Sequence, residues 1–244
     1  QLTADRFGNE NSAYSFDGVN DQINATDAGD LDGFSTFSAV LWVKPGVDLN
    51  AETPRQDLLY KGENQQNGVS WVLRYGDSSG ELALDIHGSI NWFDAITCQY
   101  SAEFPQGEWF QLAFTYDGND AQLFVDGDAV GTVSQNTLSG AIFNNPDPLT
   151  IGSRSNNEFW FNGILDDIRI YNRTLTQAEI SELYCADSWC EQVQGCTDPE
   201  ACNYDEAANV DDGSCEYPPE NYNCDGECVA EVDICGVCDG DNSS

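Results

Sequence analysis

Positive charge is what this sequence has least of. Eight of its 244 residues are Lys or Arg, against 43 Asp or Glu, a formal net charge of −35 at pH 7. That balance excludes nucleic acid as a ligand, because binding it needs a basic surface that displaces condensed counterions. Direct docking on anionic lipid is excluded for the same reason. No apolar run reaches the roughly 18 residues needed to span a bilayer as a helix, so no direct membrane insertion is expected. The one histidine, His87, argues against His-clustered zinc sites and would give a Ser-His-Asp arrangement a single possible base. Methionine is absent even at position 1, and Gln1 is what a mature chain shows after loss of a signal peptide, though a chain cut elsewhere looks the same. What is present, 40% hydrophobic residues with 6 Trp and 12 Phe, is enough for a core.

Charge and cysteine are unevenly placed. Every base lies at or before Arg173, and from Cys185 onward there are 16 acids and no base. Nine of the ten cysteines follow the same divide: Cys185, Cys190, Cys196, Cys202, Cys215, Cys224, Cys228, Cys235 and Cys238, with Cys98 apart. These shifts predict two regions, 1–184 and 185–244. Clustered cysteines in a segment with few apolar residues point to disulfides and an oxidising, extracellular or cell-surface setting. Zinc held by Cys224, Cys228, Cys235 and Cys238 competes with that reading, but the interleaved Asp, Glu and Asn suit a harder cation. Asp205, Asn209 and Asp211 are candidate calcium ligands of the tail. They make no EF-hand, since Val210 stands at the glycine position of a loop begun at Asp205. An acidic, stapled linker that binds no specific metal is the alternative. Sequons at Asn24, Asn172 and Asn242 matter only in a glycosylating source.

Residues 1–172 read as all-β. Short alternating runs recur between turn residues: Thr36–Lys44, Val69–Tyr75, Glu81–His87, Trp109–Tyr116, Ala121–Asp126, Ala129–Ser134 and Ile164–Tyr171. Period-two alternation marks strands with one buried face. Asp117-Gly118 and Asp126-Gly127 are expected as hairpin turns, because Asp and Gly tolerate positive φ. So many strands predict a two-sheet antiparallel jelly-roll sandwich. One short helix closes it: Thr176 to Glu179 forms a capping box, and Ile180, Leu183 and Tyr184 share a face. The remainder is a small, disulfide-rich, irregular tail.

Phe16-Asp17-Gly18-Val19-Asn20-Asp21-Gln22-Ile23, Trp42-Val43-Lys44-Pro45, Gly107-Glu108-Trp109 with Ala113 to Gly118, Leu123 to Gly127, and Phe161 to Arg173 occur in order along residues 10–184. Together they resemble the laminin-G-like jelly roll of the concanavalin A-like lectin/glucanase superfamily. Phe110-Gln111 departs from the pattern, which often carries His there. The stretch from Cys196 to Cys215 resembles a cysteine-bounded repeat of secreted surface proteins of marine bacteria. The jelly-roll resemblance implies a calcium ion tying the first strand to the last. The matching acids are Asp17 and Asp166, with Asp21 and Asp167 beside them; capping of turns or pairing with Arg169 and Arg173 is the structural alternative.

Glucanases of that superfamily set closely spaced carboxylates on one strand. Here Glu81 and Asp85 share a strand face, but Ala83 stands where the middle acid would be, and no Glu-x-Asp-x-Glu occurs. An enzyme is therefore not expected. Sugar sites stack an aromatic ring on a pyranose face and ring it with amide and charged groups. Trp92 and Trp160 are the candidate platforms, with Asn91, Asn156, Asn157 and Arg154 as polar partners. Trp42, Trp71 and Trp109 lie within alternating strands and are expected in the core. The expectation is a secreted or surface-displayed, calcium-supported module that binds a glycan or an extracellular protein. A self-associating subunit of a fibre or adhesin stalk is the alternative, and a glycoside hydrolase the weaker one.

Overall fold

The computed structural model describes residues 1–25, 34–50, 52–62, 68–76, 80–89, 94–138, 142–144, 147–155, 158–186, 194–208, 210–230 and 238. Two compact units are present, Gln1–Tyr184 and Cys185–Ser244.

The larger unit is a sandwich of two seven-stranded antiparallel sheets. The first runs β1 (Leu2–Thr3), β2 (Ala13–Asp17), β14 (Asn162–Tyr171), β4 (Phe37–Pro45), β9 (Phe110–Tyr116), β10 (Ala121–Val125) and β11 (Asp128–Val130). The second runs β12 (Thr132–Asn136), β8 (Ala95–Tyr100), β7 (Leu82–His87), β6 (Val69–Tyr75), β5 (Gln56–Gly62), β13 (Leu149–Ile151) and β3 (Ile23–Ala25). Alternation places Phe37, Leu41, Leu112 and Phe114 of one sheet against Leu59, Trp71, Leu73, Leu84 and Ile86 of the other. Phe37 meets Trp71 at 5.6 Å and Phe114 edge-on at 5.3 Å between ring centroids, the offset geometry that aromatic quadrupoles favour.

The outer face of the first sheet is covered in turn. Helix α1 (Gln177–Cys185) lays Ile180 on Val40, Ala113 and Phe124. Its capping box is formed: Thr176 Oγ1 accepts from Glu179 N at 3.2 Å, and Glu179 Oε2 accepts from Thr176 N at 2.8 Å. Trp42 is buried on this outer face, stacked on Tyr184 at 5.6 Å, while Trp71 fills the space between the sheets.

One expected turn forms and two connections differ. Asp126-Gly127 is a two-residue hairpin with both φ positive, 51° and 85°, as its residues require. At Asp117 the connection is four residues long instead. Asp117 Oδ1 accepts from Asn119 N and Asp120 N, and Gly118 takes the positive φ. The run Ala129–Ser134 is likewise two strands: at Gly131, φ 82°, the chain leaves the first sheet for the second.

In the smaller unit, β15 (Gln194–Gly195) pairs in parallel with β16 (Val210–Asp211). Disulfides join Cys196 to Cys215, Cys202 to Cys224 and Cys228 to Cys238. Three of the four cysteines of the competing zinc reading are thereby engaged in sulfur–sulfur bonds. Cys98 is a buried free thiol.

Candidate functional site

The acids expected to hold calcium are not gathered. Register sets Asp17 opposite Asn162 on β14, four residues from Asp166, which is about 13 Å along a strand. Asp17 Oδ1 accepts from Val19 N and Asn20 N, so it caps its own turn, and those backbone donors hold its carboxyl below the usual range. Asp21 Oδ2 accepts from Asp17 N at 3.1 Å. Asp166 and Asp167 instead face a guanidinium: Arg6 Nη1 donates to both, at 3.0 and 2.8 Å. Arg6 is nearly fully buried and lies over the Trp42 ring at 4.8 Å. Arg169 adds a contact to Asp167 at 3.4 Å. A divalent ion here would have to displace a cation already packed between the carboxylates, so these residues do not fit calcium. Among the described residues no group of three or more His, Cys, Asp or Glu side chains is placed to hold a metal. In the tail, Asp205 Oδ1 accepts from Ala207 N and Asp211 Oδ1 from Gly213 N, each closing its own turn. Asn209 lies outside the described residues.

Of the expected ligand residues, Trp92, Asn91, Asn156 and Asn157 lie outside the described residues. Trp160 and Arg154 are described: Trp160 lines a cleft, and Arg154 does not line it but packs over the ring of the neighbouring Phe159. The cleft, of about 440 Å³, lies at the start of β5 and β14, and Arg55, Gln56, Phe159 and Asn162 line it with Trp160. Its wall depends on two glycines. A Cβ at Gly18, φ 75°, would stand 2.9 Å from the Asn162 Cβ, and one at Gly46 would collide with the Asn162 amide. Gln56 Oε1 accepts from Asn162 N at 2.9 Å, which fixes the Gln56 amide with its nitrogen still a donor.

Behind this wall sits a charged group of three. Asp57, wholly buried, accepts from Arg55 Nε at 2.6 Å, Arg55 Nη2 at 3.2 Å and Arg154 Nε at 3.4 Å. Both guanidinium carbons lie over the Phe159 ring, at 4.7 Å for Arg55 and 4.4 Å for Arg154. Phe159 is held at φ 55°, uncommon for a residue with a side chain, while its carbonyl accepts from Asp57 N at 2.8 Å. Arg154 also lies 5.3 Å from the Tyr60 ring centroid, and burial pushes the Tyr60 phenol up to about 12. Sequence reading missed Arg55, Asp57 and Phe159. The available signal was Arg55-Gln56-Asp57, since residues two apart on a strand share a face.

The outer face of the second sheet continues this polarity. Register aligns Asp57 with Arg74 and Asp85 with Thr97. Asp85 receives Arg74 Nε at 2.7 Å and Thr97 Oγ1 at 2.9 Å, one on each oxygen. Glu81 Oε1 accepts from Ser101 Oγ. The two carboxylates are thus committed to different partners. Burial holds the His87 imidazole below its ordinary value of 6.5.

Known proteins share this architecture. A 153-residue stretch, 62% of the chain, is 27% identical to zebrafish adhesion G-protein coupled receptor V1 and spans 2% of that receptor. Paraclostridial mosquitocidal protein 1 of Paraclostridium bifermentans is 27% identical over 165 residues, 12% of its length. The chain thus spans a small fraction of the curated relatives it matches. The crystal structure of the toxin's binding domain superposes with a TM-score of 0.57 at 18% identity, covering 75% of this chain and 45% of that one. A heptameric SAP-like pentraxin from Limulus polyphemus gives 0.52 at 16%, covering 72% and 82%. A putative carbohydrate binding protein from Bacteroides ovatus gives 0.52 at 16%, covering 70% and 46%. A family model described as the concanavalin A-like lectin/glucanases superfamily matches residues 17–181, more than half of the sequence, and the chain belongs to that family.

Proposed function

We propose that the sandwich is a non-enzymatic carbohydrate-recognition module of an extracellular or cell-surface protein, and that the cleft beside Trp160 is its ligand seat. The observation that carries this is the composition of the cleft: an indole, the Gln56 and Asn162 amides and a guanidinium around one cavity. An indole packs on the apolar face of a pyranose, and amide and guanidinium donors serve its hydroxyls. The lectin-like family and a carbohydrate-binding neighbour support the reading. The tail disulfides support the compartment, since such bonds persist where thiols oxidise. The carboxylates of Asp85 and Glu81 support binding over hydrolysis, because a glycosidase pair must both reach the scissile bond.

A broad glycan array probed with the 244-residue chain tests the reading. Binding to a defined set of glycans, reduced at least tenfold by Trp160→Ala in a variant that still melts cooperatively, is the expected result. An array without signal above an unrelated acidic protein would overturn it.

A further inference from the structure

We propose that the ligand of this cleft is an acidic saccharide, its carboxylate or sulfate received by Arg55 while its ring lies against Trp160. This rests on the carbohydrate reading above and narrows it to one chemical class.

Three observations carry it. The first is the sign of the cleft. In a chain with 43 acids and 8 bases, the described residues lining this cavity include a guanidinium and no carboxylate. A neutral sugar has no need of such a selection, whereas an anion is repelled by every carboxylate within a Debye length, about 8 Å at physiological salt.

The second is the charge balance behind the wall. Two guanidiniums share the single buried carboxylate of Asp57, and among the described residues both of their ion pairs go to that group. One carboxylate balances only one of the two guanidiniums, and both side chains keep some exposure, 15% for Arg55 and 11% for Arg154, so an incoming anion can complete the balance. Asp57 takes Nε and Nη2 of Arg55, not Nη1. The donors at Nη1 therefore belong to the one cation among the described residues that line the cavity. A guanidinium is also the side chain best shaped for a carboxylate or sulfate, through charge-assisted hydrogen bonds.

The third is that the cations are held in place. Phe159 keeps its ring under both guanidiniums from a positive-φ backbone that its carbonyl bond to Asp57 N secures. Unfavourable backbone geometry of this kind persists where surrounding structure over-determines it, and it collects at ligand sites. A preorganised cation spends less side-chain entropy on binding than a mobile surface lysine does.

Matched glycan pairs test the proposal by calorimetry on the full chain. Each pair is an oligouronate with its carboxyl-reduced, neutral counterpart, or a sulfated oligosaccharide with its desulfated counterpart. The expected result is at least tenfold tighter binding of the acidic member in a pair that binds. Arg55→Gln should abolish that preference while the protein keeps its melting transition. Preference confined to uronates assigns the group as a carboxylate; preference confined to sulfated members assigns it as a sulfate ester. Equal or tighter binding of neutral members in every pair that binds overturns the acidic ligand and leaves carbohydrate recognition standing. Failure of every saccharide overturns both. Unchanged preference in Arg55→Gln overturns the role given to Arg55. Should that variant not fold, the paired comparison on the native chain still decides the class of ligand.

Discussion

Arg6 shows how one side chain can take over a task expected of a metal. The sequence places carboxylates at Asp166 and Asp167, next to each other on a strand, and neighbouring negative charges must be neutralised. Burial first, and then the adjacent Asp167 charge, push the Asp166 carboxyl above its ordinary range. The cation that answers them comes from the N-terminal segment, 160 residues away in sequence. Replacing one partner of a buried pair strands the other. Arg6→Met should therefore cost about 3–5 kcal/mol, read as a lower urea midpoint; a variant within about 1 kcal/mol of the parent would show the acids adequately solvated without Arg6. His87 gives a second test at this scale. Its folded value lies below 6.5 because burial disfavours the charged ring. Between 6.5 and that lower value the unfolded chain binds a proton that the folded chain does not. Stability must then fall as pH drops through that window. The chain has one histidine, so the decline as pH falls below about 6.5 should vanish in His87→Gln. A parent flat across that range would contradict the burial argument.

At the scale of elements, legibility followed one physical rule. Strands that place residues such as Ser38, Ser70, Arg74, Gln111 and Thr115 between apolar core residues alternate in sequence, and β4, β6, β9 and β10 were readable to within a residue or so. β5 was not. Its residues Gln56-Asp57-Leu58-Leu59-Tyr60-Lys61-Gly62 are buried throughout, as are those of β6 and β9, but its apolar residues are three in a row between polar pairs, so no alternation shows. Its charges look like loop residues until the register shows Asp57 among arginines and Lys61 Nζ donating to the Asp147 carbonyl at 2.6 Å. The candidate site was half legible for the same reason. Trp160 and Arg154 stood out by composition, but Arg55 and Phe159 matter through contacts made across strands distant in sequence. Gly131 escaped because one glycine in an apolar run reads as a weak point in a strand. Here it is where the chain changes sheets. An added Cβ would meet the Gln99 carbonyl oxygen at 2.7 Å from a φ that β-branched residues avoid. Gly131→Val should lose roughly 1–3 kcal/mol from backbone strain alone, with further loss from the collision, measured by thermal melting. A valine variant as stable as the parent would mean that the crossing does not need positive φ.

For the whole molecule, the net charge of −35 has to be accommodated with only eight bases. Lys61, Arg74 and Arg154 are buried on β5, on β6 and after β13, Arg55 just before β5 is half-buried, and each meets an acid or a carbonyl. Little positive charge is left for the exterior, and eight bases cannot give each of 43 acids a counter-charge. Their mutual repulsion weakens the compact state, and it falls as the Debye length shortens from about 30 Å at 0.01 M salt to about 8 Å at 0.15 M. The melting transition of the sandwich should therefore rise with sodium chloride. Calcium chloride and magnesium chloride at matched ionic strength separate screening from a site. If Arg6 does the work once assigned to the ion, calcium should raise the transition no further than magnesium, and chelator should leave it unchanged. A calcium-specific increment of about 4 °C or more, on the order of 1–2 kcal/mol for a domain of this size, would reveal a coordinating set. Repeating the titration in Asp17→Asn and Asp166→Asn would then locate it. Loss of the increment in the first would place the ion at the Asp17 turn. Loss in the second would mean that Arg6 yields its place to the metal.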